Sequence, residues 1–275
     1  MAAKKGAALP LNQQMAAPKG ERGVARIMSD QAVEWVGKVG GDINAKAHLG
    51  RLFQEVRKNP SLAKCEPSSI IGCAMEAATL GLSFGNTLGQ AYAVPYYDSK
   101  SRSWRAQFQA GYKGYISKMV DNVTTFMVSA SEIRENDWYD YDIGEGWIKH
   151  KPALSDRGPV IGAWAKAVHN NNVQSLVVIG IDEIEQARDA SSSYTNAQKG
   201  GYQDKTPWGK YFGAMAMKTA VHRLAKLVPM SANLASLMHS DGSVFTGIRG
   251  DRAESFNPEE FQQLEGAVDG SPADG

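Results

Sequence analysis

The chain has 275 residues, 43% hydrophobic and 21% charged, and its 30 Lys+Arg against 29 Asp+Glu leave a net charge of +1. That composition is globular, the length suits one large domain or two small ones, and the near-neutral total selects no partner by itself. Two cysteines, Cys65 and Cys73, exclude a disulfide framework and a four-thiolate zinc site.

No apolar run approaches the roughly 18 residues of a membrane span. The polar Asn12-Gln13-Gln14 interrupts the start before a signal-peptide core forms. These features predict a cytoplasmic protein that does not engage membranes. The charge is unevenly spread: residues 1–60 carry net +5, 61–130 net +2, 131–200 net −4, 201–245 net +3 and 246–275 net −5. A basic front and an acidic tail are common in nucleic-acid-handling proteins, although an ordinary surface with an acidic tail carries the same blocks. Composition divides the chain into a flexible basic arm at 1–28, one domain at 29–245 and an acidic disordered tail at 246–275. In the tail, Phe256 and Phe261 mark either a docking segment or a short helix packed on the body.

In chain order, Ser29-Asp30 opens a helix carrying Ala32, Val33, Val36 and Val39 that stops at Gly40-Gly41. Asp42 caps a second, with Leu49, Leu52, Phe53 and Val56 on one face and Asn59-Pro60 at its end. Pro67 opens a third, ending near Gly81. The period then switches from helical to alternating. Residues 90–97 and 104–110 read as a hairpin across the turn 98–101, with Trp104, Ala106, Phe108 and Ala110 on one face and Arg105, Gln107 and Gln109 on the other. Gly111-Tyr112-Lys113-Gly114 leads into a short helix through Val120. Strands are predicted at 124–128, 160–168 and 176–181, with Asn170-Asn171-Asn172 as a turn. Asp182 caps a helix to Ala190, and 191–205 reads as a mobile loop. Thr206-Pro207 starts the longest helix, 208–228, and Ser231 caps a last one through His239. The expected fold is α+β: a small, mainly antiparallel sheet with a long hairpin, flanked by helices.

Motifs for bond-breaking chemistry are missing. There is no phosphate-loop signature and no His-x-x-x-His pair, and Ser83 between Gly81 and Gly85 lacks the strand of a nucleophile elbow. The acidic group Glu132, Glu135, Asp137, Asp140, Asp142 and Glu145 offers carboxylates for Mg²⁺. It is interleaved with Trp138, Tyr139 and Tyr141 in a segment rich in turn formers, so a solvated face between strands is the expectation.

Two features point to single-stranded nucleic acid. On the 208–228 helix, Lys218, His222 and Lys226 recur every four residues with Arg223 beside them, a ridge that can follow phosphates. On the hairpin and its exit, Arg105 and Gln107 line one face, followed by Tyr112, Lys113 and Lys118, a mixture of aromatic and cationic groups suited to bases and backbone. A solvated amphipathic helix and core aromatics with surface cations are the plainer readings of both.

At these same residues the sequence resembles the RecT family of phage single-strand annealing proteins. The resemblance rests on Gly85-Asn86-Thr87-Leu88-Gly89-Gln90-Ala91-Tyr92, Val94-Pro95-Tyr96, Gln109-Ala110-Gly111-Tyr112-Lys113-Gly114, His150-Lys151-Pro152, Thr206-Pro207-Trp208 and Met215-Ala216-Met217-Lys218-Thr219 with Arg223. It covers about residues 50–235. Ser83-Phe84 stands where members often have Asp-Pro, and Met217 and His222 where basic residues are frequent.

The resemblance implies an ATP-independent recombinase, not an enzyme. It would bind single-stranded DNA in a positive groove, anneal it to a complementary strand, and form rings or helical filaments. Implied partners are a phage exonuclease and the host single-strand-binding protein. No cofactor is required, and Mg²⁺ is at most modulatory. Position by position, Lys113, Lys218 and Arg223 are the implied phosphate contacts, with Tyr112, Arg105 and Gln107 along the groove. Lys118, Lys205, Lys210 and Lys226 join them on charge and position, while His150 and Trp208 read as structural. Neutralising ~6 phosphates per protomer would give a log–log salt slope of about −4. The basic arm and first helices are the expected protomer contacts, because a linear polymer needs a head-to-tail interface. A protective single-strand binder and a nuclease using the 132–145 carboxylates are the competing readings.

Overall fold

The computed structural model describes residues 30–41, 44–85, 88–98, 102–122 and 124–242. The basic arm, the acidic tail with Phe256 and Phe261, and Asp42 all lie outside these residues. The chain divides into two compact units, 1–84 with 93–107 and 85–92 with 108–275.

The first unit holds helices α1 (Asp30–Gly40), α2 (Ala45–Lys58) and α3 (Pro67–Thr79), which pack on one another. Ala32 and Val36 of α1, Leu49, Leu52 and Val56 of α2, and Ala74 and Ala77 of α3 have no exposed surface. Burying a Leu or Val side chain this fully contributes about 1.5–3 kcal/mol. The cap of α2 is Asn44, not Asp42: its Oδ1 accepts from the Ala47 N–H at 3.0 Å. Asn44 directly precedes the first helical residue, where a side-chain acceptor reaches the third N–H. Past Gly41 and Gly81 the chain turns with φ of +57° and +62°, conformations that favour glycine.

Strands β1 (Ala91–Asp98) and β2 (Ser103–Ala110) form the expected hairpin, and the division between the units runs through both. Ala106, Phe108 and Ala110 are buried, as the alternation predicts, but Trp104 at the start of the strand is exposed and meets Tyr97 edge-on. Within the first unit the Glu66 N–H donates to the Trp104 carbonyl at 2.8 Å, and the Ala106 N–H donates to Ser69 Oγ at 2.8 Å. These bonds tie the start of α3 to β2.

The second unit is built on an antiparallel sheet in the order β3-β6-β7: β3 (Thr125–Arg134), β6 (Val160–His169) and β7 (Gln174–Gly180). Ala130 sits opposite Ala165, which sits opposite Val177. Ala163, Ala165 and Ala167 alternate along β6 without exposure, a small-residue surface that admits a closely packed helix. That helix is α8 (Phe212–Leu224), and α4 (Tyr112–Val120) packs beside it. The last described helix, α9 (Ala232–Gly242), packs on α4 and begins with Ser231 Oγ accepting from the Leu234 N–H, the cap expected for it.

Several elements depart from the sequence reading. Segment 132–145 is not simply a face between strands: it continues β3 and then forms a two-stranded ribbon, β4 (Trp138–Asp142) with β5 (Trp147–Lys151). The helix after β7, α5 (Ile181–Asp189), is preceded by Gly180, and Asp182 lies in its first turn. Residues 191–205 are not a loop but α6 (Ser192–Lys199) and a 3-10 turn (Gln203–Lys205), anchored by buried Ala197.

The long helix is interrupted. Thr206 caps α7 (Pro207–Lys210), as expected, but Tyr211 leaves the helical region at φ −136° and ψ 47°. One local and one long-range contact lie at the break. Trp208 is buried with its ring 5.9 Å from that of Phe212. Gly213 lies so close to Glu132 that a Cβ there would come within 1.6 Å of its carboxylate oxygen.

Candidate nucleic-acid interface

The Gly-Tyr-Lys-Gly turn is positioned by one close backbone contact. The Gly111 N–H donates to the Gln90 carbonyl at 2.9 Å. A Cβ on Gly111 would stand 2.2 Å from the Gly89 carbonyl oxygen and 2.8 Å from the Tyr92 ring. Only glycine fits there, so the Gly-Gln-Ala-Tyr and Gly-Tyr-Lys-Gly segments form one substructure. Gly111 precedes α4 in extended conformation, which sets Tyr112, half-buried, and Lys113, exposed, on its first turn.

α4 and α8 meet through Tyr115 and His222, whose ring centroids are 5.5 Å apart and nearly perpendicular. Beneath them Asp241 of α9, 4% exposed, collects three donors: the Tyr115 hydroxyl at 2.9 Å, the Ala110 N–H at 3.4 Å and Lys218 Nζ at 3.0 Å. Burial, and then the neighbouring Asp241 carboxylate, push the Tyr115 hydroxyl far above its ordinary range. Burial, then Lys226, lower His222 below its ordinary value. The motif helix and the cationic helix are thus joined around one buried carboxylate.

The ten sequence-selected side chains fall into distinct settings. Lys113, Lys205, Lys210 and Lys226 are exposed and make no ion pair with a described residue. Lys218 is held by Asp241, with 20% of its side chain exposed. Arg223 pairs with Glu183 of α5 at 2.5 Å on the surface. Lys118 is buried, its ammonium against Asp121. In the first unit, Arg105 reaches Glu66 at 3.7 Å and Asp98 at 3.9 Å, and Gln107 is half-buried. Lys210 also lines a hollow of about 460 Å³ where α7 breaks from α8, together with Glu132, Arg134 and Tyr211.

The sequence reading ends the last helix at His239 and so does not reach Asp241. Its signal was present: 234, 237 and 241 share one helical face, and Leu234 and Leu237 are fully buried.

The acidic group divides in two. Asp137 is not solvated: its carboxylate accepts from Arg157 Nη2 at 2.6 Å and Nε at 3.0 Å, from the N–H groups of Ala153 and Arg134, and from His150 Nε2 at 3.0 Å. The Trp164 indole N–H, which can only donate, points to His150 Nδ1 at 3.1 Å, so His150 carries its proton on Nε2. Hydrogen bonding from Arg157 holds Asp137 well below the usual carboxylate range, against the opposing effect of burial. Glu132 accepts from Arg134 Nε at 2.7 Å. Asp140, Asp142 and Glu145 lie exposed on the ribbon. Among the described residues no group of three or more His, Cys, Asp or Glu could hold a metal ion, and no helix is long and apolar enough to cross a membrane.

With this geometry in place, the comparisons with known proteins assign the class, that of single-strand annealing recombination proteins. The model of the RecT family matches residues 47–254, and the chain belongs to that family. It is 28% identical to Protein RecT of Escherichia coli (strain K12) over 190 residues, 68% of this chain and 67% of that one. Over 55 residues it is 51% identical to the uncharacterized protein YqaK of Bacillus subtilis (strain 168), covering 20% of this chain and 17% of YqaK.

Proposed function

We propose that the protein binds single-stranded DNA through the α4–α8 surface and anneals it to a complementary strand, without ATP, as a homo-oligomeric ring or filament. The packing of α4 on α8, which puts the Gly-Tyr-Lys-Gly turn and the cationic helix on one body, carries this reading. Lys113, Lys210, Lys205 and Lys226 supply positive charge that no described residue pairs, in the same unit. Lys218 and Arg223 add to it when phosphates compete for them with Asp241 and Glu183.

Contacts to phosphate hold a strand without reading its sequence, which suits annealing of any complementary pair. Base pairing releases the free energy, and the protein contributes proximity and charge neutralisation, so no bond is broken and no cofactor is needed. A phage exonuclease would supply the single strand, and a host single-strand-binding protein would yield it.

The test mixes two complementary labelled oligonucleotides with and without the protein and without nucleotide. Accelerated joining with the protein retained on the product supports annealing. Unchanged or slowed joining, with each strand still bound, makes the protein a protective binder. Shortened strands in Mg²⁺ would make it a nuclease.

A further inference from the structure

The hollow where α7 parts from α8 brings together the two chemistries that a nucleotide carries, a flat ring and an anion. Its volume of about 460 Å³ falls within the roughly 300–1,000 Å³ of small-molecule sites. Lys210 and Arg134 line it with cations, Tyr211 with an aromatic ring, and Val160 and Phe212 with apolar surface.

These groups are open to a ligand. Tyr211 is 65% exposed, and its ring meets no other ring among the described residues. Lys210 is exposed and makes no ion pair with a described residue. Arg134 donates Nε to Glu132 at 2.7 Å and Nη1 to the Gly158 carbonyl at 3.1 Å, and its Nη2 bonds no described residue. Glu132, the acidic residue of the lining, is taken up by Arg134 and by Arg157 Nη1 at 3.5 Å, so its charge does not set the sign of the hollow.

The Thr206-Pro207-Trp208 segment places the ring. Thr206 caps α7 and Trp208 is buried beside Phe212, which leaves Tyr211, off-helix, exposed at the junction. Lys218 stands six residues beyond Phe212 on α8, about 9 Å along the axis, so one strand can reach both.

We propose that this hollow seats one nucleotide of the bound single strand, with its base stacked on Tyr211 and its phosphate on Lys210 and Arg134. The inference rests on the DNA-binding reading above and deepens it. Every base has a flat face, so stacking tolerates any sequence. A seated base cannot pair, so the hollow serves the strand before annealing and gives the base up as the duplex forms.

The test uses the full chain and two labelled strands of equal length, oligo-dT and an abasic strand with the same phosphates, with binding read by fluorescence anisotropy. The wild-type chain should bind oligo-dT several-fold more tightly than the abasic strand. Tyr211→Ala should weaken oligo-dT binding about fivefold or more, and abasic binding by less than about twofold. Tyr211→Phe, which restores the ring, should recover the loss. Lys210→Ala should weaken both strands alike and flatten both salt slopes by ~0.7. If Tyr211→Ala misfolds by circular dichroism, Tyr211→Leu keeps the bulk without the ring and carries the same expectation. Equal weakening of both strands by a folded variant lacking the ring, undiminished oligo-dT binding, or no effect of Lys210→Ala overturns the seat. A wild-type chain that binds neither strand overturns the DNA-binding reading itself.

Discussion

Lys218 of α8 and Asp241 of α9 form an ion pair, Nζ 3.0 Å from Oδ2, with the carboxylate buried and the ammonium partly open to solvent. The cation that the sequence marks for phosphate thus already has an anion, delivered by a helix 23 residues further along. Any phosphate reaching Lys218 competes with Asp241.

Asp241→Asn should therefore have two opposite effects. It weakens the bonds from Tyr115 and Lys218, so the fold loses about 1–3 kcal/mol. It also frees Lys218, so single-stranded DNA binds more tightly, with a salt slope steeper by ~0.7. Fluorescence anisotropy across a salt series reads the second effect and chemical unfolding the first. A lost fold stability with unchanged slope would put Lys218 outside the DNA interface.

Lys113→Ala isolates a cation that has no such partner among the described residues. Because Lys113 is exposed and makes no ion pair with a described residue, the melting temperature should stay within about 1–2 °C. DNA affinity should fall and the slope flatten by ~0.7. Wild-type affinity in this variant would remove the first turn of α4 from the interface.

Gly111→Ala inserts a Cβ 2.2 Å from the Gly89 carbonyl oxygen, a backbone atom that cannot swing aside. Overpacking of this kind costs about 1–3 kcal/mol, which thermal unfolding would register. DNA binding should weaken with it, because the same turn places Lys113. Gly50→Ala in α2, where nothing lies within 4 Å of the new Cβ, serves as the control and should leave the fold as stable or slightly more so.

Acid should destabilise the protein in two stages. Burial lowers His48 and His222 below 6.5 in the fold, so the unfolded chain takes up protons first and stability declines as pH falls below about 6.5. The Arg157 guanidinium holds Asp137 well below the usual carboxylate range. The contribution of Asp137 is complete well above pH 4 and declines as pH falls below about 4 toward its lower folded value, so only the first part of that decline lies above pH 3. Unfolding free energy measured from pH 8 to pH 3 should show both declines. Asp137→Asn should remove the lower one, and a profile identical to wild type would contradict the Arg157–Asp137 linkage.

The elements whose signal is local were legible. Helices α1 to α3, the β1–β2 hairpin, the capped start at Thr206-Pro207 and strands β6 and β7 follow from apolar period, caps and turn residues. The ribbon was not, because its alternation, Tyr139-Asp140-Tyr141-Asp142, is only four residues long, wholly exposed, and set among turn formers. The 191–205 helices were not, because eight mostly polar residues carry too weak a period to outweigh their serines and glycines.

Residue chemistry alone determined that this chain carries a basic motif turn, a cationic helix and the signature of the RecT family, since those depend on residue identity and spacing along the chain. Only the tertiary structure decided which of the cations are free. Lys218, Arg223, Lys118 and Arg105 each meet a carboxylate, while Lys113, Lys205, Lys210 and Lys226 meet none among the described residues. For Lys218 and Arg223 that carboxylate lies 23 and 40 positions away along the chain. Ion pairs of that reach are set by how helices pack, and no spacing rule in the sequence contains them.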